Sequence, residues 1–211
     1  MLAMAKTFEP ETPHGPARVH LHEADEAVAA LVLGHGAGGG VEAPDLLAAT
    51  EAALAENVSV ALVEQPYRVA GKRSQPAAST IDSAWVAVCA ELRDGELAGL
   101  PLIPGGRSAG ARVACRTAAE VGAAAVLCLA FPLEPPRRRD GTRGPSRLPE
   151  LEGAGVPVLV VQGETDRFGM PPAGLGREVA LVAGDHGLKK DTGAVREAVR
   201  DWLNRTKGEI R

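Results

Sequence analysis

A serine within residues 106–110, Gly-Arg-Ser-Ala-Gly, has the surroundings of a catalytic nucleophile. It lies between an apolar run at 100–104 and an Ala/Val-rich helical run at 109–120. A G-x-S-x-G sequence between a strand and a helix predicts a nucleophile elbow, a sharp turn that exposes the serine Oγ in a strained conformation. Gly106 and Gly110 would let backbones approach closely, and the helix N-terminus would favour developing negative charge. The motif therefore predicts Ser108 as nucleophile and the Ala109 amide as one oxyanion donor.

A serine hydroxyl needs a base to take its proton, and the base needs a carboxylate to orient it. After a nucleophile elbow the chain order is serine, then an acid, then histidine. Of the five histidines only His186 follows the elbow, between a predicted strand and the last predicted helix. His14, His20 and His22 are interpreted as surface or edge-strand side chains. His186 is therefore the predicted base.

The carboxylate is predicted to be Asp166, which directly follows the strongest predicted strand, 156–162. Glu164 is its nearest rival, and Asp185 adjoins the base too closely for its side chain to reach the imidazole Nδ1. Only 20 residues separate Asp166 from His186, which is room for one short helix and one strand. The assignment rests on chain order and position in the loop.

The second oxyanion donor is expected from residues 34–40, Gly-His-Gly-Ala-Gly-Gly-Gly, called the glycine loop below. The amide N–H of Ala37 would act with that of Ala109, and His35 and Gly36 would support the loop. A phosphate-binding loop is the alternative for such glycines. The phosphate-binding alternative is disfavoured, because a Walker lysine is absent and the G-x-G-x-x-G spacing is not kept with an acidic residue on a following strand.

Short β-rich runs alternate with helical runs, which predicts an α/β fold with a mostly parallel sheet and helices on both faces. Strands are predicted at 17–22, 29–33, 59–63, 100–104, 124–130, 156–162 and 179–182, and helices at 44–56, 79–97, 109–120 and around 195–203. The helix at 79 is expected to open with a capping box, Ser79-x-x-Asp82. A single domain is predicted over 16–206, after a flexible N-terminal segment at 1–15. Nothing between the sixth and seventh predicted strands could form a large cap domain.

The composition narrows the function further. The chain has 211 residues, a net charge of −4 and 45% hydrophobic residues, which disfavours a nucleic-acid or anionic-membrane partner. No run reaches the roughly 18 apolar residues of a membrane span, and no signal peptide is recognised. Cys89, Cys115 and Cys128 lie in apolar segments without metal-ligand spacing, so reduced core thiols in a cytoplasmic protein are expected.

Arginines at two places in the sequence could contribute to the predicted site. Arg107, inside the elbow, is predicted to pair with a nearby carboxylate. Five arginines, at 137, 138, 139, 143 and 147, lie in the Pro/Gly-rich segment 132–147, called the arginine loop below. Such a segment is typically a solvated loop. Alternatively, it rims the pocket and attracts an anionic acyl substrate.

Four segments resemble a small, capless branch of the α/β-hydrolase superfamily near the dienelactone hydrolases. They are 30–40, 105–112, 131–136 and 158–169, within a similarity that spans most of 16–205. The branch includes bacterial members, a small testis-expressed hydrolase-like protein and a domain of a chromatin-complex subunit. The resemblance implies a single-domain α/β-hydrolase fold and a Ser108–Asp166–His186 triad. Dienelactone hydrolases carry a cysteine at the elbow, where this chain has Ser108.

Two functions follow from this resemblance. The first is a serine hydrolase that cleaves small acyl esters or thioesters, with a small-molecule acyl substrate and no metal or cofactor. The second is a binding or scaffold module on a hydrolase fold, since some members of the branch are interaction modules. The presence of all three triad residue types favours the enzyme. Fold alone does not decide between them.

Overall fold

An eight-stranded sheet carries the predicted site residues in the computed structural model, which describes residues 5–208. The strands are β1 (Lys6–Phe8), β2 (Arg18–His22), β3 (Ala29–Gly34), β4 (Val58–Glu64), β5 (Leu102–Arg107), β6 (Val126–Leu129), β7 (Val158–Gly163) and β8 (Arg177–Val182). Their order across the sheet is β1-β2-β4-β3-β5-β6-β7-β8. Strand β2 is antiparallel to both neighbours, and all other neighbouring pairs are parallel. The carboxyl ends of β3 to β8 therefore share one edge.

Helices cover both faces of this sheet. They are α1 (Pro44–Ala55), α2 (Pro66–Val69), α3 (Ala78–Asp94), α4 (Ala109–Thr117), α5 (Leu148–Glu152) and α6 (Thr192–Thr206). Helices α1 and α6 pack on one face, and α3, α4 and α5 pack on the other. Among the helices of residues 5–208, none is long and apolar enough to cross a membrane.

The apolar run of β3 is explained by this two-sided covering. All six residues of β3 are buried. Leu31 and Leu33 belong to the core under α1 and α6, whereas Ala30 and Val32 belong to the core under α3. A strand covered on both faces needs apolar side chains at every position rather than at alternate ones. This central strand ends at Gly34, where the glycine loop begins.

The predicted fold class is confirmed: a single mostly parallel α/β domain, helices on both faces and no cap domain between strands within residues 5–208. All seven predicted strands and four predicted helices are present, with ends shifted by a few residues. Strand β1 and the short helices α2 and α5 were not predicted. Strand β1, which pairs with β2, lies within the predicted N-terminal segment, and the predicted domain bounds of 16–206 stay a prediction. Residues 1–4 of the predicted N-terminal segment lie outside the described residues.

The predicted capping box at Ser79 and Asp82 is wrong. Helix α3 begins at Ala78, so Ser79 lies inside the helix, and the residue before it makes no side-chain cap hydrogen bond. The Asp82 carboxylate instead accepts two hydrogen bonds from Arg116 of α4, at 2.6 and 2.8 Å. A bidentate ion pair with a neighbouring helix is stronger than a local cap, so tertiary contact overrides the local pattern.

Candidate active site

The turn between β5 and α4 holds Ser108 in a strained backbone conformation. Its φ is 53° and its ψ is −106°, a region that side-chain-bearing residues rarely adopt. The Ser108 N–H donates to the carbonyl of Leu129 at 2.8 Å, which anchors the turn on β6. Ser108 is also the residue before the first turn of α4, whose leading N–H groups have no partner within the helix.

Three glycines explain how this turn fits beside β3. A Cβ on Gly106 or on Gly110 would collide with the carbonyl oxygen of Gly34. The end of β3, the end of β5 and the start of α4 therefore approach one another backbone to backbone. Larger residues would push the elbow away from the glycine loop, so the G-x-S-x-G glycines are needed for close approach.

The structure brings Ser108, His186 and Asp166 into one hydrogen-bonded series. His186 Nε2 lies 2.9 Å from Ser108 Oγ, and His186 Nδ1 lies 2.7 Å from Asp166 Oδ2. The carboxyl ends of β5, β7 and β8 supply the three residues. Both distances lie within hydrogen-bond range. A neutral imidazole with its proton on Nδ1 would donate to the carboxylate and accept the serine proton on Nε2.

The short spacing between Asp166 and His186 is accommodated because the loops after β7 and β8 bind each other. The Glu164 N–H donates a hydrogen bond to the Val182 carbonyl at 3.0 Å. The N–H and the hydroxyl of Thr165 both donate to the Gly184 carbonyl at 2.9 Å. The two rivals of Asp166 point elsewhere: Glu164 is exposed, and the Asp185 carboxylate accepts from the Gly187 N–H at 2.9 Å.

Asp166 is held by groups that the sequence analysis did not identify. Its side chain is 0% exposed. Besides His186, its carboxylate accepts a hydrogen bond from Gln162 Nε2 and another from Phe168 N–H, both at 2.9 Å. The Phe168 ring packs edge-on against His186 with centroids 4.5 Å apart. A glutamine at the end of a fully apolar strand was the available signal, because buried amides need partners.

The glycine loop passes directly beside the nucleophile. A Cβ on Gly36 would lie 3.6 Å from Ser108 Cβ, so the loop passes close enough that a side chain at position 36 would pack against the serine. The Ala37 carbonyl accepts a hydrogen bond from the Tyr67 hydroxyl at 3.2 Å. Tyr67 belongs to α2, which the sequence analysis missed. The predicted oxyanion residue Ala37 is thus one position beyond Gly36, the loop residue that lies close to Ser108.

His35 is a buried support of this loop. Its Nδ1 lies 2.8 Å from the Gly36 carbonyl, and its Nε2 accepts the Gln65 N–H at 3.1 Å. This pattern requires a neutral ring with the proton on Nδ1. Burial lowers the pKa of His35, which keeps the ring neutral. His35 therefore ties the glycine loop to the end of β4.

Arg107 is predicted to pair with a nearby carboxylate. In the structure that carboxylate is Asp45, in the first turn of α1. Arg107 Nε lies 3.2 Å from Asp45 Oδ2, and Arg107 Nη2 donates to the backbone carbonyl of His186 at 2.8 Å. Burial raises the pKa of Asp45, and the positive charge of Arg107 opposes that rise. Asp45 was not predicted as this partner, because its only signal in the sequence is its place after Pro44 in a predicted helix.

The arginine loop lies against the loop that carries Asp166. Arg143 donates to the carbonyl of Arg167 at 3.4 Å, and Glu134 N–H donates to the Phe168 carbonyl at 2.7 Å. Arg147 is half-buried and donates to the Pro132 carbonyl at 3.0 Å, and burial lowers its pKa. This placement brings the arginine loop close to the candidate site. Its role in substrate binding stays a prediction.

A cavity of about 260 Å³ opens on the α3 side of the elbow. Its walls include Tyr67, Thr80 and Ile81. A narrow slot shares Tyr67 and Ile81 with this cavity and extends to Ala109 and Gly110. The slot therefore borders both the cavity and the residue that follows the nucleophile. Among residues 5–208, no group of three or more His, Cys, Asp or Glu side chains could hold a metal ion.

Comparisons with known proteins agree with this architecture. The profile of a family described as "Alpha/beta hydrolase domain" matches residues 27–198. No curated protein matches the chain. The narrower testis-expressed branch stays a prediction.

Solved structures with similar folds include an alpha-beta serine hydrolase homologue from Coxiella burnetii, with 15% identity, a TM-score of 0.74 and coverage of 96% of this chain and 99% of that one. A serine hydrolase without a lid from Xanthomonas campestris has 18% identity, a TM-score of 0.74 and coverage of 97% and 96%. A dienelactone hydrolase from Anabaena variabilis has 15% identity, a TM-score of 0.74 and coverage of 97% and 99%. At such identities the likeness establishes the fold alone.

Proposed function

Because the chain belongs to the α/β hydrolase domain family, we propose that it is a serine hydrolase that cleaves small esters or thioesters. The observation that carries the proposal is the continuous series from Ser108 Oγ through the His186 ring to the buried Asp166 carboxylate, with contacts of 2.9 and 2.7 Å. A scaffold has no need of an aligned nucleophile, base and buried acid. The order of elements also matches the chemistry, because each residue lies at the carboxyl edge of the sheet.

In the first half of the reaction, Ser108 Oγ attacks the carbonyl carbon of the ester while His186 Nε2 takes the hydroxyl proton. Asp166 stabilises the imidazolium that forms and keeps the ring oriented. The tetrahedral intermediate then collapses, the bond to the leaving group breaks, and His186 returns the proton to the leaving oxygen or sulfur. This leaves an acyl group on Ser108. Water, deprotonated by His186, attacks that acyl group and releases the acid and the free serine.

The developing oxyanion would be held by the Ala37 and Ala109 amides. Ala109 is the first residue of α4, so its N–H has no partner within the helix and lies at the positive end of the helix dipole. Gly36 lies close to Ser108, so the glycine loop approaches the same place. Removal of one oxyanion donor typically costs about 3–4 kcal/mol of transition-state stabilisation.

The adjoining cavity indicates a small substrate. Its volume of about 260 Å³ lies below the roughly 300–1,000 Å³ of pockets that hold drug-sized ligands. The substrate we propose is a small acyl compound whose chain lies on the α3 side of the elbow, toward this cavity. The reaction uses neither a metal ion nor a cofactor.

The decisive experiment is labelling of the purified intact protein with a fluorophosphonate probe, which reacts with activated serines. We expect labelling at Ser108, identified by peptide mass spectrometry, and none in Ser108→Ala. Hydrolysis of p-nitrophenyl acetate and of an acetyl thioester should be lost in the same variant. If the wild-type protein neither reacts with the probe nor turns over either substrate, the binding-module alternative replaces this proposal.

A further inference from the structure

One guanidinium group joins three separate parts of the candidate site. Arg107 Nη2 donates to the His186 carbonyl at 2.8 Å, and Nε lies 3.2 Å from Asp45 Oδ2. A Cβ on Gly36 would lie only 2.9 Å from Nη1, so the guanidinium lies beside the glycine loop and leaves no room there for a side chain. Arg107 thus contacts the loop of the base and the start of α1, and it lies beside the glycine loop.

The partner carboxylate is fixed in place by its own element. The Asp45 side chain is 0% exposed, and its Oδ1 accepts a hydrogen bond from the Leu46 N–H at 3.1 Å. It lies in the first turn of α1, where the helix dipole favours a negative charge. Asp45 Oδ2 makes no hydrogen bond within residues 5–208, so the carboxylate holds the guanidinium by charge, and an alternative position of Arg107 would leave that buried charge unpaired.

His186 therefore has two supports that act on different atoms. Asp166 binds the ring Nδ1 and sets the orientation of the imidazole. Arg107 binds the backbone carbonyl and sets where the residue itself lies, in the loop between β8 and α6. If the backbone moved, a ring still bonded to Asp166 would no longer reach Ser108 at 2.9 Å. Misplacement of a catalytic group by about 1 Å can cost on the order of 100-fold in rate.

We propose that Arg107, held by Asp45, is a positioning residue that fixes the backbone of His186 and the glycine loop relative to Ser108. The inference rests on the proposed function, since it assigns a role within that same site. Arg107 takes no part in proton transfer. Its contribution is to keep base and oxyanion donors at their distances throughout turnover.

The test compares Arg107→Gln, Asp45→Asn and the double variant. We expect Arg107→Gln to lower kcat for p-nitrophenyl acetate by about 10–100-fold while KM changes less than about twofold. Arg107→Gln should also lower the thermal midpoint, because the buried Asp45 carboxylate loses its cation. In the double variant the midpoint should recover while kcat stays low. Recovery of the thermal midpoint without recovery of kcat would distinguish a positioning role from a merely structural ion pair.

Chemical rescue provides a second measurement. The Arg107 side chain is 19% exposed and borders a groove of about 630 Å³ that also contains Asp45 and Gly187. Guanidinium ion at millimolar concentration should enter the space left by Arg107→Ala and restore part of kcat. Methylammonium at the same concentration is the control, because it lacks the planar fork that reaches both the carboxylate and the carbonyl.

A measurement that needs no turnover separates the positioning role of Arg107 from the proposed hydrolase function. The proton shared by His186 and Asp166 can be followed by ¹H NMR in the wild type and in the double variant. We expect that resonance to shift or broaden when Arg107 is replaced. A wild type unreactive toward the probe overturns the proposed function, and the resonance then still tests the positioning. An unchanged resonance, or activity that recovers together with stability in the double variant, would overturn the inference.

Discussion

At the scale of single residues, Asp166 has a more constrained environment than either neighbouring acid. Its buried carboxylate accepts hydrogen bonds from three groups, one of them on His186. We expect Asp166→Asn to lower kcat by about 10⁴-fold, because an amide can hold the imidazole in the wrong tautomer. The measurement is single-turnover acylation of the purified variant by p-nitrophenyl acetate.

Glu164→Gln is the matched control for that variant. Glu164 lies two residues from Asp166 and is exposed, so its charge should be screened by solvent. Its acylation rate should stay within about twofold of the wild type. A greater loss in Glu164→Gln than in Asp166→Asn would require a different acid for the site.

His35 should make the stability of the protein depend on pH. Because burial lowers its pKa in the folded state, the unfolded chain takes up a proton before the folded one does. This contribution is complete above the unperturbed imidazole pKa of about 6.5 and is lost as pH falls below it. The free energy of unfolding, measured by urea titration, should fall less between pH 8 and pH 5.5 for His35→Gln than for the wild type. Equal losses would contradict the prediction.

Which residues could be found from the sequence depended on how local their signal is. Ser108 has a five-residue motif, and His186 is the only histidine after it. Gln162 and Asp45 have no such motif, because their roles arise from contacts to Asp166 and Arg107 that only the folded sheet creates. Their burial would have been visible only with the packing of β7 and α1.

At the scale of elements, the start of α4 should tolerate no side chain at Gly110. Replacing a helical glycine by alanine ordinarily stabilises a helix by up to about 1 kcal/mol. Here the added Cβ would collide with the Gly34 backbone. We therefore expect Gly110→Ala to lower the free energy of unfolding by about 3 kcal/mol in urea titrations.

Gly38→Ala controls for the loss of a glycine near the site. A Cβ there would meet nothing within 4 Å, so stability should change by less than about 0.5 kcal/mol. If Gly110→Ala proved as stable as Gly38→Ala, the close approach of α4 to β3 would be wrong.

The wall that α3 gives to the cavity should set acyl-chain length. Thr80 faces the cavity, and a phenylalanine there would fill part of its 260 Å³. For Thr80→Phe we expect kcat/KM to fall at least about tenfold more for p-nitrophenyl butyrate than for the acetate. Ser79→Phe, on the exposed side of the same helix, should leave the ratio unchanged. An unchanged ratio in Thr80→Phe would place the acyl chain elsewhere.

Elements were predictable where a period or a motif spans many residues. The buried strands and the four long helices have such patterns. Strand β1 and helices α2 and α5 span three, four and five residues, too few for a period to appear. The capping pattern at Ser79 gave a wrong prediction although its local signal was clear. Asp82 pairs with Arg116 on another helix rather than with the backbone of its own helix.

At the scale of the whole molecule, one sheet connects two sets of core residues that contain all three cysteines. Cys89 lies in the core under α3, and Cys115 and Cys128 lie under α4 and α5 with their sulfur atoms 3.4 Å apart. Burial raises the pKa of Cys89 to about 12 and raises that of Cys128 as well. Thiolate chemistry at these positions therefore requires opening of the core.

We expect no thiol to react with a disulfide reagent in the native protein and all three to react in denaturant. In low urea the three should be labelled with the same free energy of opening, because helix α4 contributes side chains to both cores and couples their opening. Mass spectrometry of labelled peptides gives that energy for each cysteine separately, and Ser79→Phe, an exposed change, serves as a control. Faster labelling of Cys89 alone would mean that the α3 side opens independently, and the site would then lie between two units of different stability.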